Sequence, residues 1–157
     1  MKKSVILIVA MLLSIAAFAQ PRAIGGRFAA GLQVSYQHNL GENFAELDLG
    51  YHYASGLGVT AMYNFILANP AWSPKGSWEV YAGPGISAGT YFNISPFAFG
   101  ICGQIGLAYT FQFPLQVSID LRPSLGIAIG PSGGVFFNKL GLIGFAPTIG
   151  VRYSFGQ

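Results

Sequence analysis

From Phe28 onward the chain alternates between apolar and polar or glycine positions with a period of two, and no segment carries a helical period. The stretch PLQVSIDLRPS shows the pattern: Leu115, Val117, Ile119 and Leu121 share one parity, and Gln116, Ser118, Asp120 and Arg122 share the other. Glycine and proline clusters punctuate the alternation. Strands are predicted at Arg22–Ala29, Leu32–His38, Phe44–Tyr53, Leu57–Leu67, Trp78–Gly89, Phe97–Phe111, Leu115–Gly126 and Gly144–Phe155. Periplasmic turns are expected at Asn39–Asn43, Ala68–Ser77 and Gln112–Pro114. The opposite loops fall at Ala30-Gly31, Ala54–Gly56, Thr90–Pro96 and Ile127–Ile143, of which only the last is long.

The two parities differ in kind. Aromatic residues gather at strand ends on the apolar parity: Tyr36, Tyr63, Phe65, Trp78, Tyr109, Phe111, Tyr153 and Phe155 at one end, Tyr51, Tyr53, Phe97 and Phe99 at the other. Two such girdles flank the apolar band of a membrane-spanning barrel, and a soluble sandwich has no reason to form them. The opposite parity carries Arg27, Glu46, Asp48, His52, Thr60, Asn64, Glu79, Tyr81, Gln104, Gln116, Asp120, Arg122 and Arg152, interleaved with glycines. Eight strands enclose room for packed side chains and no wide channel. The pattern therefore predicts an all-β, eight-stranded antiparallel up-and-down transmembrane β-barrel with a polar-packed lumen. The even strand number places both chain ends on the periplasmic side.

Composition fits this reading: the chain is 52% hydrophobic and only 8% charged, with a mean hydropathy of +0.51. Met1-Lys2-Lys3, the apolar run Val5–Ala16 and Ala17-Phe18-Ala19 read as a signal peptide spanning residues 1–19, cleaved before Gln20. Residues 20–157 then form the barrel domain, exported to a bacterial outer membrane. Cleavage removes Lys2 and Lys3, leaving six basic residues against five acidic ones, a net charge of +1 that points to no nucleic acid. Cys102 is the only cysteine, which rules out an intramolecular disulfide and a zinc-type Cys/His spacing.

The stretches GLAYTFQFPLQVSIDLRPS (Gly106–Ser124), GLQVSYQHNLGENFAELDLGY (Gly31–Tyr51) and the terminal IGVRYSF (Ile149–Phe155) resemble the small outer-membrane β-barrel family of Gram-negative bacteria, whose architecture is of the OmpA/OmpX-like type. The resemblance spans the mature chain and rests on the Phe-x-x-Pro-Leu turn, the Asp-x-Arg-Pro strand and the terminal aromatic. It implies outer-membrane lipid as the surroundings. Val151, Tyr153 and Phe155 look like the signal read by the barrel-assembly machinery. The family brings no general activity with it.

Candidate chemistry is sparse. His52 faces inward near the outer rim with Ser55 in the next loop, and Ser87 or Ser132 could approach; no spacing makes a catalytic unit of them, and a hydrogen-bonded rim histidine accounts for His52. Glu46 and Asp48, two apart on one strand face, suggest either a divalent-cation site or ion pairs with Arg27, Arg122 or Arg152. The near balance of inward acids and arginines favours a salt-bridge network of Arg27, Glu46, Asp48, Glu79, Asp120, Arg122 and Arg152. Cys102 reads as a buried filler, and GPG and GPSGG match no phosphate loop. We expect no catalytic, metal or cofactor site, and a structural or surface-interaction role. A lipid-modifying enzyme and a narrow transport pore are the alternatives.

Overall fold

Strict alternation turns into a sheet with one polar and one apolar face, and here the sheet closes on itself. The computed structural model describes residues 21–28, 31–52, 56–91, 95–129, 134–137 and 147–155. The expected signal peptide lies outside the described residues. The strands are β1 Pro21–Phe28, β2 Gly31–Leu40, β3 Asn43–His52, β4 Gly56–Ala68, β5 Ser77–Tyr91, β6 Ser95–Thr110, β7 Leu115–Leu121, β8 Ser124–Ile129, β9 Gly134–Phe137 and β10 Thr148–Ser154. Each pairs antiparallel with its neighbours, β1 with β10 across the seam, and β6 with both β7 and β8. Because β7 with β8, and β9 with β10, are successive pieces of single staves, the result is a closed eight-stranded antiparallel barrel.

Of the two interrupted staves, the first corrects the sequence reading of Leu115–Gly126 as an uninterrupted strand; in the second, β10 starts at Thr148, and residues 144–146 of the strand expected at Gly144–Phe155 lie outside the described residues. Pairs Ile105–Leu121 and Cys102–Ser124 flank the first break in one register, and Gly103 N–H donates to Pro123 O at 3.0 Å. The ladder therefore runs through the break, which arises because Pro123 has no N–H to return. The expected loop Ile127–Ile143 is shorter than anticipated: β8 runs on to Ile129, and β9 folds back on it through Leu125–Phe137 and Ala128–Gly134. Similarly, the turn expected at Asn39–Asn43 contracts to Gly41-Glu42, since Leu40 already pairs with Asn43. Gly41 has φ 70°, a backbone state suited to a two-residue hairpin and costly for other residues.

Register fixes the barrel's shape. Following paired residues from Arg27 through Gln33, Gly50, Gly58 and Gly89 leads to Ala98 on β6. Going the other way, through Gly150 and Ser118, leads to Ala108, ten residues further along the same strand. That stagger tilts the strands, by about 35–45° in barrels of this size, and leaves an interior that side chains fill.

Burial is inverted relative to a water-soluble core. Arg27, Ser35, Gln37, Glu46, Asp48, Asn64, Gln116, Ser118, Asp120 and Arg152 are enclosed, while Leu, Ile, Val and Phe cover the outside. β10 displays the rule residue by residue, with Thr148, Gly150, Arg152 and Ser154 buried and Ile149, Val151 and Tyr153 exposed.

Candidate lumen ion network

Three guanidinium groups and three carboxylates meet in the middle of the lumen. Arg27, 1% exposed, lies on β1, Arg152 on β10 and Arg122 at the β7–β8 break, so the cations come from three adjacent staves. Glu46 and Asp48 reach across from β3. Arg27 Nη1 donates to Asp48 Oδ2 at 2.7 Å, and its Nη2 donates to Asp120 Oδ1. Arg122 Nη1 donates to the same Asp48 oxygen at 2.5 Å, and its Nη2 to Gln104 Oε1 at 2.7 Å. Arg152 Nη2 donates to Glu46 Oε1 at 2.8 Å, Nη1 to Ser118 Oγ at 2.7 Å and Nε to Ser35 Oγ at 2.9 Å. The three positive and three negative charges balance, which is what an enclosed ionic cluster requires.

Asp120 and Arg122, two apart on one strand face, do not bind each other. Asp120 takes Arg27 on one oxygen and the Tyr81 hydroxyl on the other, at 3.4 Å. Arg122 crosses the lumen to Asp48 and Glu46. Glu79 stands apart from this cluster: its ion pair is with Arg22, at the end of the barrel that holds the termini. Arg22 also donates to Asn39 Oδ1 at 3.4 Å and lies over the Phe44 ring, 4.5 Å from its centroid. Phe44 in turn meets Tyr81 edge-on at 5.3 Å. This lower closure is not legible in the alternation, because Arg22 faces inward only through a register irregularity between Pro21 and Ala23. Phe44 lies on the parity of Glu46, the one signal that pointed to it.

Glycines make room for the long side chains. A Cβ on Gly150 would lie 2.5 Å from Arg152 Nη1 and 2.5 Å from Ser118 Oγ, and one on Gly106 would lie 2.5 Å from the Tyr81 ring. A Cβ on Gly85 would meet Met62 Sδ at 2.1 Å. Met62 lies across that glycine to bring its sulfur within 3.3 Å of Cys102 Sγ, which is buried as a filler.

Of the expected outer-rim pair, His52 ends β3 opposite Gly31 and Gly56, its side chain lying outside the described set, and Ser55 lies outside the described residues. Ser132 and Tyr53 do as well. Among the described residues no three of His, Cys, Asp and Glu converge on a metal-sized space, and arginines engage Glu46 Oε1 and Asp48 Oδ2. Buried Asn64 has neither amide atom bonded within the protein, a position suited to ordered water.

Outside, the aromatics form contacting runs at the terminal end: Trp72, Trp78, Tyr109, Phe111 and Phe113 follow one another with centroids 4.6–5.6 Å apart, and Tyr63–Phe65 and Tyr153–Phe155 continue round the barrel. Geometry thus defines a class: a small closed β-barrel with an ionic, side-chain-filled interior and an apolar exterior. No family model, curated protein or solved structure matches the chain.

Proposed function

We propose that this chain is an integral protein of a bacterial outer membrane, with outer-membrane lipid as its immediate surroundings and a structural or surface-interaction role without catalysis. The observation that carries the reading is the inversion itself. Arginines and carboxylates fill the enclosed interior while Phe28, Leu32, Val34, Leu49, Ile101 and Ile119 stand exposed on the outside. Water does not stabilise such a wall, whereas hydrocarbon does, and only closed barrels and helices satisfy their backbone there. Signal-directed export and delivery of β10, with Val151, Tyr153 and Phe155, to the barrel-assembly machinery complete the proposal. Fractionation tests it. The mature chain should partition with outer membranes and migrate faster on gels unheated than boiled; release into the soluble periplasmic fraction without detergent would overturn it.

A further inference from the structure

The barrel's loop end is not level. On each step from β1 through β2, β3, β4 and β5 to β6, the line of paired residues moves toward the loop end, arriving at Ala98, three residues from the start of β6 at Ser95. At the usual tilt and a strand spacing of about 4.8 Å, each step climbs about 3 Å along the axis. Arg27 is one residue from the loop end of β1, so the matching point on β6 stands roughly 15 Å higher. The line continues to Ala128 on β8 and Gly134 on β9, higher again. One side of the barrel, β5 to β9, is therefore a tall wall, and the side formed by β1, β2 and β10 is short.

Among the described residues the upper part of the tall wall stays apolar. Phe97 (55% exposed), Phe99, Ile101 (64%), Leu125, Ile127, Ile129 and Val135 (77%) point outward, and the inward positions behind them are Ala98, Gly100, Gly126 and Ala128. No charged side chain stands among the described residues of this outer face. Over Gly100 and Gly126 the wall has a shallow, open depression lined by Phe99, Ile101, Leu125, Ile127 and Val135. The surface continues without a polar step into the rows of Ile105, Leu107 and Ile119 below.

Resting on the outer-membrane reading, we infer that the barrel sits tilted, its tall β5–β9 wall immersed in lipid up to Phe97 and Ile127, with acyl chains of the leaflet at the loop end lying across the shallow depression of β6, β8 and β9. A wall taller than an apolar band of about 25 Å is accommodated by tilt or by local thickening of the bilayer. Continuity with the lipid-facing rows selects hydrocarbon as the occupant. A second copy of the chain would need a matching convex face at the same height.

Tryptophan reporters test this in the full mature chain, refolded into phosphatidylcholine vesicles with brominated acyl chains. With Trp72→Phe and Trp78→Phe as background, single changes Phe97→Trp and Ile127→Trp report the tip, and Ile119→Trp reports the middle. Bromine should quench all three emissions, and acrylamide in the water should quench none. Tip reporters quenched by acrylamide and spared by bromine, with Ile119→Trp still quenched by bromine, would overturn the immersed wall and leave the membrane reading standing. Tip reporters shielded from both quenchers would mean protein covers the wall, which also overturns it. Were Ile119→Trp spared by bromine too, the membrane reading itself would fall.

Discussion

Arg27 touches three carboxylates and no solvent, so its worth to the barrel depends on what remains when a partner goes. Stranding one buried charge costs about 3–5 kcal/mol, whereas exchanging a whole pair for packed apolar groups can be close to neutral. Arg122→Leu leaves Asp48 and Glu46 short of a cation and should destabilise the barrel by an amount in that range, read from urea unfolding in detergent micelles. Adding Asp48→Leu restores balance, because Arg27 keeps Asp120 and Arg152 keeps Glu46. The double variant should therefore be more stable than the single. Equal or greater loss would show that the residues act independently. Neighbouring glycines make a second contrast. A Cβ on Gly25 would lie 2.1 Å from the backbone oxygen of Val151, while one on Gly26, facing outward, meets nothing nearer than 3.7 Å. Gly25→Ala should cost at least the 1–3 kcal/mol of ordinary overpacking, about that much or more, since backbone must move. Gly26→Ala should fall within about 0.5 kcal/mol of the parent in the same assay.

At the scale of the strand, face and depth decide tolerance. Ile119 pairs with Leu107 and Ile149 in the middle of the wall, while Tyr153 sits in the aromatic run at the terminal end, 5.1 Å from Phe155. An arginine on the lipid face costs about 2–4 kcal/mol at the midplane and about 0–1 near an interface. On the proposed outer-membrane reading, Ile119→Arg should thus be far less stable in lipid vesicles than Tyr153→Arg; equal tolerance would place one of them at the wrong depth. Faces were legible in the sequence because a strand has a period of two, so Gln116, Ser118 and Asp120 necessarily share a side. Partners were not. Which acid Arg122 meets depends on the ten-residue stagger around the barrel, and Asp48 on β3 is invisible from β7. Glu79 meets Arg22 because of a bulge at one strand's first residues, a feature no alternation reports. The break at Pro123 was legible as a proline, but its retained register was not, since that rests on the opposing Gly103 N–H donating to the Pro123 carbonyl.

For the whole molecule, the question is whether eight strands leave a path for ions. The cross-section is crossed twice: once by the arginine–carboxylate cluster linking β1, β3, the β7–β8 break and β10, and once nearer the termini by Arg22, Glu79, Phe44 and Tyr81. An ion moving through would have to displace guanidinium groups from carboxylates they bind at 2.5–2.8 Å. The balanced cluster offers neither sign of ion a compensating charge. Single molecules of the parent protein in planar bilayers should therefore show little steady conductance at either polarity. The lower closure, with Arg22–Glu79 as its single ion pair beside the Phe44 ring contacts, is the weaker of the two. Glu79→Ala should loosen it while leaving the central cluster intact, and so should add no steady current either. A large, stable, ion-selective current from the parent chain would mean that the charged residues line a water-filled path. The same current appearing only in Glu79→Ala would make the Arg22 latch, and not the central cluster, the seal of the barrel.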